Sequence, residues 1–259
     1  MRFLVLLAAC LSFAFYLYTP VSFATAPTES TTILPMFQFE EQASDLQYIK
    51  IAQRKAVEEN KYLLVILGAT WCSDSKVIAD QFSQPDFYEQ ISQHYEVVTV
   101  NVGYLESGYD IARFFGLPTY YGTPTVLIVE PSSSTITNRI DFYEWMNARS
   151  KSQEDFHSYF LQQKYPKTEQ LSLSLEVKKE IEIYETLHAQ RINAGYIVAG
   201  ELLKAYKESG QPASKKFTEV WIELAKYRNA VAKAVGDALR TGNTAQLPQF
   251  ENSFSWENQ

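Results

Sequence analysis

The sequence predicts an α/β domain, a mixed central sheet flanked by helices, followed by a C-terminal α-helical hairpin. Three observations carry this. The short continuous apolar run Tyr62 to Leu67 has the form of a strand buried on both faces, and Tyr95 to Val100 is a second strand, rich in valine, with helical spacing on either side of each. A valine- and isoleucine-rich pair of runs around Glu130 to Ser134 reads as a β-hairpin. Beyond Pro166 the pattern changes to apolar residues three and four apart over long stretches.

Along the chain, Leu46, Ile49, Ala52 and Val57 place a helix within about 41–61, and Gly68 ends the strand that follows it. Residues 74–93 are helical with a break expected at Pro85, and Asp110 to Phe115 is a short helix stopped by Gly116 and Pro118. Strands are expected at 125–129 and 135–140, and a helix at 153–164 closes the unit. Helices separating the first strands, then a terminal hairpin, give a mixed sheet covered on both faces. In the C-terminal part Val177, Ile181, Tyr184, Leu187, Val198, Leu202 and Tyr206 form one stripe, and Phe217, Val220, Trp221, Leu224, Val231, Val235 and Leu239 another. Ser209, Gly210, Gln211 and Pro212 stop the first helix and start the second. Leu171, Leu173 and Leu175 alternate with serine and also fit a short strand. The expected division is a signal peptide at 1–24, a flexible lead-in at 25–40, the α/β domain at 41–166 and a helical extension with an irregular tail at 167–259.

Hydrophobic residues make up 46% of the 259 and charged residues 20%, a balance that requires a packed core. A formal charge of -7 without a basic run excludes a nucleic-acid footprint. Arg2, the apolar stretch Phe3 to Tyr18, and the small residues around Ala24 have the order of a secretory signal peptide cleaved after Ala24. The alternative is an uncleaved anchor facing the periplasm, for which the apolar run is short against the roughly 20 residues of a spanning helix. Either way the rest of the chain is expected outside the cytoplasm, periplasmic or extracellular. Cleavage removes Cys10 and leaves Cys72 as the one cysteine, so no disulfide within the chain is expected.

The segment Gly68, Ala69, Thr70, Trp71, Cys72, Ser73, Asp74, Ser75, Lys76 lies between a buried strand and a helix. A cysteine at a helix N-terminus meets unpaired backbone N–H groups and the positive end of the helix dipole, which favour the nucleophilic thiolate. Asp74 in the same first turn stabilises the helix and opposes that effect. His94, His157 and His188 have no ligand spacing, and neither a metal nor a cofactor is expected. Tyr120 and Tyr121 suit either a groove lining or local packing.

This stretch resembles the thioredoxin family: Trp71, Cys72, two residues, a second motif position and Lys76, then Ala112, Phe115 and Gly116, then Gly122, Thr123, Pro124 and Thr125. The Thr123 and Pro124 pair is similar to periplasmic relatives, disulfide isomerases among them. The resemblance implies a thioredoxin-like fold, Cys72 as the catalytic residue with Trp71, Asp74, Ser75 and Lys76 in support, and Thr123 and a cis Pro124 receiving a substrate strand. Two departures matter. Ser75 stands in place of the second cysteine, and Ile66 in place of a buried acid. What the resemblance then implies is monothiol exchange, a mixed disulfide through Cys72 with protein thiols or disulfides or a small thiol, released by another thiol. The competing expectation is a redox-inactive binding or chaperone-like module. In both, residues 168–259 offer apolar surface to a protein partner or a homodimer.

Overall fold

The computed structural model describes residues 37–39, 45–168, 172–250 and 253–257. The signal peptide, most of the lead-in and Leu171 lie outside the described residues. Four strands form one sheet in the order β2-β1-β3-β4. Strand β1 (Tyr62–Gly68) pairs parallel with β2 (Tyr95–Asn101) and antiparallel with β3 (Thr125–Glu130), which pairs antiparallel with β4 (Thr135–Ile136). The fold is thus the mixed α/β sheet with flanking helices and a C-terminal helical pair.

Strand alternation divides β1 between two cores. Leu63, Val65 and Leu67 point to the face covered by helix α1 (Leu46–Glu58), whose N-cap Asp45 accepts a hydrogen bond from Gln47 N at 2.8 Å. Leu64 and Ile66 point to the other face, against α2 (Ser73–Phe82) and α3 (Pro85–His94). The break between these helices falls where Pro85 takes the first helical position of α3. Helix α4 (Tyr109–Phe114) precedes Gly116, which has a positive φ of 79°. Three residues of the expected lead-in are docked: Phe39 is buried, and Thr99 Oγ1 donates to Gln38 O at 2.6 Å.

The strand expected over 135–140 stops after two residues. Asn138 takes over the edge of β3 with its side chain, Oδ1 accepting from Ile128 N at 2.8 Å and Nδ2 donating to Val126 O at 3.0 Å. Its amide replaces the backbone ladder, so the chain turns away with β3 still satisfied. A 3-10 segment, Phe142–Ser150, which periodicity did not reveal, then seats Trp145 in the core against Phe156 and Phe160. The helix expected over 153–164 is shorter. It consists of α5 (Gln153–Phe156), opened by a Ser152/Asp155 capping box, and a π-helical turn, His157–Leu161, in which neighbouring Tyr159 and Phe160 are both buried.

The hairpin consists of α6 (Leu175–Ser209) and α7 (Lys215–Thr241). Ser174 and Ser214 cap their N-termini, and Gly210 and Gly242 close their C-termini in the left-handed region. Leu173 is outside any strand and Leu175 opens α6, so the short strand weighed for them is not formed. Leu187, expected on the buried stripe, is 55% exposed. The hairpin joins the α1 face of the sheet in one continuous apolar cluster that holds Leu67, Tyr120, Tyr121, Ile192, Tyr196, Val231 and Val235 together. Its helices approach closely enough that a Cβ at Gly200 would overlap the Tyr104 carbonyl oxygen, and one at Gly236 the Ile140 carbonyl oxygen.

Gly236→Ala is therefore expected to destabilise the protein by about 2 kcal/mol, since overlap with rigid backbone outweighs the roughly 1 kcal/mol that alanine gains over glycine in a helix. Urea unfolding measures this. A higher midpoint in the variant would mean that the hairpin does not sit against Ile140.

Candidate thiol site

Gly68, the last residue of β1, has no room for a side chain, which would strike the Phe39 ring at 2.5 Å and Ser75 Oγ at 2.7 Å. The chain turns through Ala69 to Trp71, and Cys72 is the N-cap of α2 with an extended backbone (φ -86°, ψ 119°). Cys72 is 7% exposed, and its Sγ–H donates to the Thr123 carbonyl oxygen at 3.1 Å. The Thr123–Pro124 peptide is cis, and Thr125 Oγ1 pins the same loop by donating to Gly122 O at 2.8 Å. Cys72, Thr123 and Pro124, far apart in sequence, thus meet at one end of the sheet.

The other motif residues divide the structural work. Ser75 is fully buried, and its hydroxyl accepts from Ala69 N at 3.3 Å, tying the turn to the first helical turn. That is the bond it makes, in place of one to the thiol. Asp74 does more than stabilise a helix start: Oδ1 accepts from Arg149 N at 2.9 Å and Oδ2 lies 3.4 Å from Arg149 Nε. It latches the 3-10 segment to α2, a contact with no local signal in the sequence. Trp71 is half-buried and donates from Nε1 to Gly103 O at 2.7 Å, and Lys76 is exposed. Ile66, where the resemblance led one to look for an acid, is buried among Leu64, Ile78 and Phe82.

Tyr120 and Tyr121 line no groove. Both are fully buried, Tyr120 stacked on Tyr196 of α6 with ring centroids 5.1 Å apart, and Tyr121 donating to Glu185 Oε1 at 2.9 Å. Burial first, then the Glu185 charge, pushes the Tyr121 phenol far above its ordinary range. Glu185, itself buried, also pairs with Arg139. The Tyr120–Tyr121 segment before Gly122 is thus the seat of the hairpin.

The hairpin in turn reaches the thiol site, which residue spacing did not reveal. Trp221 of α7 meets Trp71 edge to face, centroids 5.8 Å apart. A Cβ at Gly122 would come 2.6 Å from Met146 Sδ and 3.0 Å from Arg228 Nη1, so both side chains border the loop that holds Thr123. His188 is buried with Nδ1 2.6 Å from the Tyr227 hydroxyl, and among the described residues no cluster of His, Cys, Asp or Glu has the arrangement of a metal site. A cavity of about 650 Å³ between Gly116, Arg139 and Lys178 is lined by none of the thiol-site residues.

Residues 46–131 match the family model described as Thioredoxin-like. No curated protein matches. Among solved structures, a disulphide isomerase from Xylella fastidiosa Temecula1 is similar, 24% identical over 49% of this chain and 95% of its own, with a TM-score of 0.44. The matched span runs from the start of α1 to the end of β3 and contains Cys72, Thr123 and Pro124, while the hairpin lies beyond it. In this span, 46–131, the chain is thioredoxin-like.

Proposed function

We propose that the protein is an exported monothiol exchange factor in which Cys72 is the nucleophile. The supporting observation is the Cys72 sulfur at the N-cap of α2, facing the Thr123 carbonyl that precedes Pro124. The Cys72 thiolate attacks a disulfide R–S–S–R′. The S–S bond breaks, a Cys72–S–S–R bond forms, and R′ leaves as a thiolate that takes a proton from water. No net oxidation occurs. With serine at position 75 the intermediate has no internal resolving thiol, so a second thiol must release R and restore Cys72. Trp71 precedes Cys72 and packs on Trp221, Lys76 stands exposed in the first turns of α2, Ser75 and Asp74 hold the helix start, and the Thr123–Pro124 backbone receives the substrate chain. The substrates are protein thiols or disulfides, and export rests on the order of residues 1–24.

One observation favours the redox-inactive binding module instead: Cys72 is only 7% exposed. A single experiment separates the two. The chain from Thr25 onward is treated with hydroxyethyl disulfide and followed by intact mass. We expect one adduct, stable until thiol is added, and none in Cys72→Ser. A folded protein that acquires no adduct refutes the exchange reading and leaves the binding module.

A further inference from the structure

With Cys72 as the exchanging thiol, on which this inference rests, Arg228 stands at the border of its site. Arg228 projects from α7 to the loop before Thr123, with Nη1 beside Gly122 and donating to the Tyr196 hydroxyl at 3.2 Å. Its guanidinium lies 5.9 Å over the Tyr196 ring. Its Nε is buried and has no hydrogen-bond partner. Arg139, Arg149, Arg191 and Arg240 each have a carboxylate within 4 Å, and Arg54 and Arg113, which have none, are exposed; among the described residues Arg228 is the half-buried arginine that no carboxylate pairs with. This is so in a chain with 30 acidic residues against 23 basic ones. A half-buried cation with neutral neighbours has lost water without gaining a counter-ion, an arrangement that an anion completes. The acid nearest the thiol along the chain, Asp74, is already neutralised by Arg149.

We propose that Arg228 is a specificity-determining residue that pairs with a carboxylate on the substrate. The substrate class is then an acidic disulfide, one bearing a carboxylate within a few bonds of the sulfur that Cys72 attacks. The hairpin supplies this preference, because Arg228 and the Trp221 that abuts Trp71 both belong to α7. In the exchange step the carboxylate stays unchanged. It holds R against Gly122 and Thr123 while the S–S bond breaks, the Cys72–S–S–R bond forms and R′ leaves as a thiolate.

The test uses three small aliphatic disulfides of similar size: dithiodiglycolate (anionic), hydroxyethyl disulfide (neutral) and cystamine (cationic). Rates of adduct formation on Cys72 are measured in the native protein and divided by those of the urea-unfolded chain, which removes intrinsic reactivity. We expect the anionic-to-cationic ratio to be about tenfold above unity at low ionic strength, to shrink with salt, to collapse in Arg228→Gln and to survive in Arg228→Lys. A loss of packing alone would move all three rates together and leave the ratio unchanged. A ratio unaffected by Arg228→Gln, with circular dichroism showing a folded variant, overturns the proposal while leaving Cys72 chemistry standing. Silence toward all three probes overturns both.

Discussion

Ending the chain after Thr168 is expected to abolish cooperative folding, even though residues 45–168 contain every strand of the sheet and the whole thioredoxin-like span. The sequence places the hairpin after a closed α/β unit and so suggests an appendage. In space, Tyr120 and Tyr121 are covered by α6, and Ile140 and Tyr104 are approached by α7 and α6 at glycines. Each tyrosine buries about 200 Å². Uncovering half of that for the pair exposes about 200 Å², a loss of about 5 kcal/mol at about 25 cal/mol per Å². A whole domain is stable by only about 5 to 15 kcal/mol. Losing α6 also leaves Arg139 without Glu185 and Tyr121 without its acceptor, each a further cost. Thermal unfolding by circular dichroism compares the full chain with the truncated one. A truncated chain that melts sharply would show that the tyrosines find other cover and that the hairpin is an appendage after all.

The parts of this fold that were legible in the sequence are those set by local chemistry. Pro85 divides two helices because its ring fits only a first turn, Gly210 closes α6 because its backbone turns left-handed, and the apolar run at β1 is a strand buried on both faces. Cys72 at a helix start, and its meeting with Thr123 and Pro124, follow from the motif and the resemblance. Where the reading failed, a long-range side-chain bond had replaced a local one. Asn138 ends β4 early by imitating a strand with its amide, and nothing in the isoleucine and threonine spacing around it reveals that. Asp74 reads as an ordinary first-turn acid until Arg149, distant in sequence, is brought to it. Trp221 reads as one stripe residue of α7, and nothing in the spacing singles out Arg228. Their place beside Trp71 and Gly122 depends on how the hairpin docks, and docking leaves no period in the sequence. Its local trace is the aromatic pair Tyr120 and Tyr121, which suits a groove lining as well as packing until α6 is seen to cover it.

Stability between pH 4 and pH 6 is expected to be held level by two buried groups with opposite responses, so that removing either one uncovers a slope of about 3 kcal/mol. His188, 3% exposed, has its pKa lowered to about 4 by burial and, second, by the nearby Arg191 charge. Its ordinary value is about 6.5, so the unfolded chain takes up the proton first, and the contribution of His188 is present above pH 6.5 and lost as pH falls toward 4. Asp141, 6% exposed, has its pKa raised to about 6 by burial, a shift that the hydrogen bond from Tyr159 at 2.8 Å only partly offsets. Here the folded chain takes up the proton first. The contribution of Asp141 is complete below about pH 4 and lost as pH rises through 6. Each shift spans at least two pH units at about 1.4 kcal/mol per unit, and over the shared window the two cancel. In His188→Gln, stability relative to the parent should therefore rise by about 3 kcal/mol as pH falls from 6 to 4, and in Asp141→Asn it should fall by about as much. Urea midpoints at half-unit steps from pH 4 to 7 measure both, and taking differences from the parent removes the exposed carboxylates that titrate in every chain. Parallel curves for the parent and both variants would mean that neither group is buried in the state this structure describes.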